Sequence, residues 1–333
     1  MATLRDLRKR VKAVKNTQKI TRAMKMVAAS KLRRAQNAIL DARPYAEGME
    51  RVLHNVVRRT DTQAHPLLQV RVPKKVELVV VTSDRGLCGS FNSNIIRSAE
   101  RWLAENESKY ESVEISTIGK KGRDHFRRRG RSLKAEYEDV LNKLDYDRAS
   151  AISYDLAARF RQREDDVTFL LYNEFKSAIS QNVTLKQLLP IRSIEGWEDA
   201  PNVRIGELAV ISGNRAAVAG RTTDVLQTPE DVGFDTSQAL EFQDEGFDLI
   251  YEPSRESVLD NLLPEYLAVQ VWRALLESVA AEHGARMTAM DAASRNASDL
   301  IDRLTLEANR VRQAGITTEL MEIVSGAESL RAG

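Results

Sequence analysis

Apolar side chains recur at helical spacing along the first part of the chain. Steps of three and four residues predict one long helix over residues 3–57, with a shift of the apolar stripe, a stutter, between Val14 and Ile20. At 1.5 Å per residue such a helix is roughly 80 Å long, more than a compact domain buries. The stripe comprises Leu4, Leu7, Val11, Val14, Ile20, Met24, Val27, Leu32, Ala35 and Ile39.

Residues 257–328 repeat this spacing more strictly. From Leu276 to Gly315 the stripe alternates steps of four and three, which is typical of a coiled-coil seam held for more than five heptads. Pro264 predicts a kink or a restart near the beginning of this helix. The seam comprises Leu276, Ala280, His283, Met287, Met290, Ser294, Ala297, Ile301, Leu304, Ala308, Val311 and Gly315.

Strands alternate with helices between these two segments, which favours a mostly parallel, Rossmann-like sheet. The strands are predicted at Val76–Thr82, Val113–Ile118, Val167–Phe175 and 184–191, and the helices at Asn94–Glu105, 120–129 and Arg148–Gln162. The predicted fold is therefore α/β, with a central Rossmann-like domain carried by a long antiparallel coiled coil of the N- and C-terminal helices.

Composition changes again over residues 193–246, which hold 6 of the 16 glycines and 11 acidic residues against 3 arginines. We interpret this segment as an insertion, with a hairpin at Glu207–Ile211 and Arg215–Ala219. The predicted division is a first shaft helix at 1–60, an α/β domain at 70–192, the insertion at 193–246 and a second shaft helix at 247–333.

Charge is segregated along the chain although the net charge is only +2. Residues 1–60 carry a net +12 and residues 256–333 a net −5. Such asymmetry suggests nucleic-acid contact, or ends that pair with each other or with a charged partner. Basic residues on all faces of the first helix and few aromatics for base stacking favour the protein partner, with a nucleic-acid or ribosome adaptor as the alternative.

The sequence contains few motifs that would indicate a catalytic site. The chain has no P-loop motif, and its four histidines lack the spacing of metal ligands, so we expect no metal and no cofactor. His283 lies on the seam, where packing or a buried hydrogen bond is the simpler role. Cys88 is the only cysteine, which excludes an intrachain disulfide. A small-molecule enzyme using the loop at 83–89 stays open as a third hypothesis.

Three segments resemble the gamma subunit family of F-type ATP synthases. Asn16 to Gln36 (NTQKITRAMKMVAASKLRRAQ) is similar to that family's first helix, and residues 83–89 (SDRGLCG) to its central-domain turn. Residues 285–290 (ARMTAM) and 312–327 (RQAGITTELMEIVSGA) resemble its final helix. The matches lie at both ends and in the middle, in the family's order. The insertion departs from most bacterial members, and it lacks the cysteine pair of the plant forms.

The resemblance implies a non-catalytic rotor shaft that couples ion flow to ATP synthesis or hydrolysis. It implies alpha and beta subunits of the catalytic ring, the epsilon subunit and the membrane c-ring as partners, no nucleic acid, and a place at the cytoplasmic face of the bacterial inner membrane. Contacts with the catalytic subunits' loops are expected from Met24, Lys25, Arg312, Gln313 and Thr317. The structural turn is expected at Gly86, Cys88 and Gly89.

Overall fold

The computed structural model describes residues 3–57, 65–178, 180–191, 203–204 and 254–331. The helices are α1 (Leu4–Val57), α2 (Phe91–Asn106), α3 (Lys120–Arg128), α4 (Tyr146–Arg161) and α5 (Arg255–Arg331). The strands are β1 (Lys75–Val81), β2 (Ser112–Ile118), β3 (Leu133–Tyr137), β4 (Val167–Phe175), β5 (Gln181–Leu189) and β6 (Val203–Arg204). The predicted hairpin at Glu207–Ile211 and Arg215–Ala219 lies outside the described residues.

The two terminal helices pair antiparallel, as the sequence predicts. Lys25, in the first half of α1, bonds Asp291 near the middle of α5. Leu53, near the end of α1, shares a buried cluster with Leu263, near the start of α5. These contacts define a shaft whose two helices run side by side.

The predicted stutter in α1 is wrong. The covered face continues in heptad steps through Gln18, Thr21 and Lys25 to Ala28, whereas Ile20 is 60% exposed. Two of these polar residues, Thr21 and Lys25, are tolerated in the seam because their polar atoms find partners. The Thr21 hydroxyl donates to the backbone oxygen of Gln18 at 3.0 Å, and Lys25 reaches across to α5. A buried polar group with a partner avoids the desolvation penalty that an unpaired one would suffer.

The predicted seam of α5 is confirmed over most of its length. Met290, Ser294 and Ala297 are buried, and the seam positions from Ile301 to Val311 are half-buried among exposed neighbours. Gly315 is exposed, so the covered seam ends one step earlier than predicted. The helix also passes through Pro264 without restarting.

The central sheet is mixed, with strand order β3-β2-β1-β4-β5-β6. The first four strands pair in parallel, while β5 and β6 join antiparallel. The sequence pattern missed β3, whose five residues (LKAEY) alternate weakly and are all half-buried at the sheet edge.

Both faces of the sheet are covered. One face, including Val79 and Leu170, packs against α4, the start of α5 and the end of α1. The opposite face, including Leu78 and Leu171, packs against α2 and α3. The shaft helices are thus part of the core of the α/β domain, which fixes the domain to the shaft.

Candidate partner-binding surfaces of the shaft

Met24 and Lys25 lie on the half-covered side of α1, where it faces α5. The Lys25 Nζ atom is 2.6 Å from Asp291 Oδ1, and the lysine side chain remains 45% exposed. An ion pair this exposed contributes little to stability, because both charges keep most of their hydration. The pair holds the lysine head at the edge of the shaft, where a further carboxylate can approach it.

Arg312, Gln313 and Thr317 lie on α5 just beyond the covered seam. All three are exposed, and the Thr317 hydroxyl donates to the backbone oxygen of Gln313 at 3.0 Å. About 21 helical positions separate Arg312 from Asp291, or roughly 30 Å along the axis. The predicted contact residues therefore form two groups at different heights of the shaft, and the fold does not bring them into one site.

The first half of α1 presents a basic surface. Its lysines and arginines are exposed on every side not taken by α5, from Arg5 to Arg22. Cations at this density attract acidic partners and accelerate their association at low ionic strength.

The shaft also exposes clusters of apolar side chains. The sequence pattern predicts some of them inside the seam and does not single out the others. Ile20, Met26 and Val27 are between 58% and 67% exposed on the outer side of α1. The end of α5 exposes Ile316, Leu320, Met321, Ile323 and Val324. Exposed apolar clusters of this kind mark protein-binding surfaces. The heptad phase, extended through the polar positions of α1, is the signal that would have placed Ile20 and Val27 outside.

The turn after β1 connects the α/β domain to the shaft. Gly89 has a φ of +56°, which favours glycine, and a Cβ atom there would lie 3.7 Å from Ala289 Cβ. Cys88 is buried in a cluster with Phe91, Ala281 and Ala285, and burial raises the pKa of its thiol. A buried thiol with a raised pKa is a poor nucleophile, so this cysteine serves packing.

Gly86 is exposed, and its carbonyl oxygen accepts a bond from Arg286 Nη2 at 3.3 Å. The same guanidinium bonds Glu282 and donates to His283 Nδ1 at 3.1 Å. Burial, with Arg286 and Lys31 nearby, lowers the pKa of His283 to about 4. The histidine is therefore neutral near pH 7 and fills a hydrogen-bonded seam position, as predicted.

Neither a metal centre nor a membrane span is present in the described part of the chain. Its His, Cys, Asp and Glu side chains form no cluster that could hold a metal ion. Among the same residues, no helix combines the length and the apolar run that crossing a bilayer requires.

Comparison with known proteins gives consistent matches. A family model described as ATP synthase matches residues 3–330. The ATP synthase gamma chain of Anaeromyxobacter sp. (strain Fw109-5) is 47% identical over 99% of this chain and 100% of its own length. That of Geobacter metallireducens is 44% identical with the same coverage.

Solved structures agree with the sequence matches. A chain in the Tetrahymena thermophila mitochondrial ATP synthase central stalk and c-ring is 27% identical, with a TM-score of 0.55 over 83% of this chain and 99% of that one. A rotor chain of the Euglena gracilis mitochondrial enzyme, at 18% identity and a TM-score of 0.58, shares the fold and covers 94% of this chain.

Proposed function

Since this chain belongs to the family of ATP synthase gamma chains, which form the non-catalytic central stalk of F-type enzymes, we propose how its surfaces serve the stalk. The paired helices α1 and α5 turn as one shaft inside the ring of alternating alpha and beta subunits. The α/β domain and the lower part of the shaft rest on the epsilon subunit and the membrane c-ring. In a bacterium this places the chain, as a peripheral subunit, at the cytoplasmic face of the inner membrane.

The observation that supports this proposal is the change in surface along the shaft. Where α1 covers α5 the outside is basic, and where α5 continues alone it is apolar. A basic surface can follow acidic loops of the catalytic subunits as they open and close. An apolar tip fits a dry bearing, since burying it removes apolar surface from water.

Torque transfer requires that the shaft contact each catalytic state differently, because only differential contact can shift an equilibrium. We assign this contact to Met24 and Lys25 at one height and to Arg312, Gln313 and Thr317 at the other. At the first height the Lys25–Asp291 pair can exchange partners with an incoming carboxylate. At the second, Arg312 and Gln313 offer donors free of intramolecular seam contacts.

Reconstitution tests the assignment. The chain is assembled into the complete enzyme, including the membrane sector, in sealed vesicles, and ATP hydrolysis and ion-driven synthesis are measured for the parent and for Arg312→Ala combined with Gln313→Ala. We expect assembly and melting temperature to be retained while coupling falls. Arg310→Ala, an exposed arginine on the same helix, is the matched control and should behave like the parent. Full coupling in the double variant would overturn the contact assignment.

We also propose that the chain divides into the four parts 1–60, 70–192, 193–246 and 247–333, with the acidic third part dispensable for folding. Deleting residues 197–242 should leave assembly intact, because loop-closure entropy changes slowly with length. A deletion variant that fails to assemble with alpha and beta subunits would refute this division.

A further inference from the structure

A cleft opens on the shaft where α1 passes the end of β4. None of the α1 residues 36–48, all of which the structure describes, is fully buried, whereas Ala35 and Met49 on either side are. A cleft of about 530 Å³ lies here between α1, α5 and the end of β4. Pockets that hold small organic ligands have volumes in this range.

Aromatic side chains line the cleft. Tyr45 comes from α1, Tyr146 from the start of α4, Phe175 from the end of β4 and Trp272 from α5. The rings of Tyr146 and Trp272 meet edge to face, with centroids 5.9 Å apart, which fixes their orientation. Such walls bury apolar bodies, and the faces of aromatic rings also attract cations.

Charged groups of the cleft form three ion pairs. Arg43 lies 3.9 Å from Glu47, Lys176 lies 2.9 Å from Glu174, and Arg273 lies 3.2 Å from Glu277, each measured from nitrogen to oxygen. Each of these pairs uses one cation and one carboxylate, so the six charges cancel.

Two hydrogen-bond acceptors of the cleft take no part in these three ion pairs. Glu50, the fourth carboxylate of the cleft, makes no ion pair with any residue that the structure describes. Glu277 is 9% exposed, and its Oε2 atom has no hydrogen-bond partner in the described structure. Lys186, a buried cation, donates to Gln270 and interacts electrostatically with Glu277 and Glu50 without making a hydrogen bond to the Glu277 Oε2 atom. An occupant that satisfies this oxygen must bring a hydrogen-bond donor.

We propose that this cleft binds an organic monocation, a primary ammonium group carried on an aromatic or aliphatic body. The ammonium donates to the carboxylates of Glu50 and Glu277, and the body packs between the aromatic walls. Hydrogen bonds between charged groups are the strong ones, and the ring faces add cation–π attraction. The ligand spans α1 and α5, so binding ties the two shaft helices together at the α/β domain.

The charge of the ligand tests the proposal without altering the protein. Phenethylammonium, 2-phenylethanol and 3-phenylpropanoate have similar size and one aromatic ring, and they differ in charge. Their binding to the purified full chain is measured by titration calorimetry and by the rise in melting temperature. We expect the cation to bind at least tenfold more tightly than the alcohol, and the anion most weakly. Equal affinities across the series, or no binding of the cation up to millimolar concentration, would overturn the proposal.

Variants then locate the site. Glu50→Gln and Glu277→Gln keep side-chain size and remove charge, and each should weaken phenethylammonium binding about tenfold. Glu307→Gln, an exposed carboxylate farther along α5, is the matched control and should bind like the parent. Unchanged binding in both cleft variants, with parent-like circular dichroism, would refute the assignment. If either variant fails to fold, the ligand series on the unmodified chain still decides the question.

Discussion

His283 should make the stability of this chain sensitive to acid. Its side chain is 8% exposed, and burial, Arg286 and Lys31 lower its pKa to about 4. In the unfolded chain the pKa returns to about 6.5. The folded protein therefore binds this proton less readily than the unfolded chain. The stability that the neutral histidine confers is complete above about pH 6.5 and is lost as the pH falls towards 4.

The size of the effect follows from the two pKa values. Between about pH 7 and about pH 5 the unfolded histidine gains its proton while the folded one stays neutral. Linkage gives a loss of about 2 kcal/mol in the free energy of unfolding over this interval. Asp165, whose pKa burial raises to about 6, changes stability in the opposite direction. Comparison with a variant is therefore needed to isolate the histidine.

The assay is urea unfolding of the purified chain at a series of pH values, for the parent and for His283→Asn. Asparagine cannot titrate here and keeps an acceptor for Arg286 Nη1. The variant should lose about 2 kcal/mol less than the parent between about pH 7 and about pH 5. Ser294→Asn, at another buried seam position, is the control and should keep the parent's pH dependence. Parallel pH profiles for the parent and His283→Asn would refute the reasoning.

Three further predictions concern stability. Gly48→Ala should raise the free energy of unfolding by about 0.5–1 kcal/mol, since the site lies inside α1 with open space around it, and a urea titration would detect the gain. Gly119→Ala should prevent folding, judged by circular dichroism, because its Cβ would lie 2.0 Å from the Thr82 backbone oxygen at a φ of +96°; a folded variant would contradict the geometry. Lys25→Ala and Asp291→Asn should each lower stability by less than about 1 kcal/mol, and a double-mutant cycle measuring more would show that this exposed pair is stronger than its exposure implies.

The long helices and the main strands could be predicted because their patterns are dense. β1 and β4 are runs of β-branched and large apolar residues, and the α5 seam repeats without a break from Leu276 to Val311. The weak edge strand β3 could not, because a strand that is half-buried throughout needs no apolar alternation. Whether β3 pairs with β2 depends on packing against residues distant in sequence, which the local sequence pattern does not reveal.

The error in α1 has a different cause. The apolar stripe predicts Ile20 and Val27 inside the seam, whereas the structure exposes both. The true seam follows heptad phase through Gln18, Thr21 and Lys25. Thr21 and Lys25 are acceptable there because their polar atoms have partners, and Gln18 is only half-buried. The contact residues Met24, Lys25, Arg312, Gln313 and Thr317 came from resemblance, and nothing in their spacing identifies them. The aromatic cleft joins residues from four elements, which sequence alone does not bring together.

The pairing of the first helix with the last sets the order in which the chain folds during synthesis. Lys25 and Asp291 are 266 residues apart, and a ribosome adds about 5–20 residues per second, so α1 waits roughly 10–50 s for its partner. The α/β strands are synthesised long before α5 emerges, so one face of the sheet also waits for the helix that covers it. Throughout that delay α1 has no helix to cover its seam. The polar residues at positions 18, 21 and 25 reduce the apolar surface that the unpaired seam exposes, and the surrounding positive charge disfavours self-association until α5 arrives to complete the shaft.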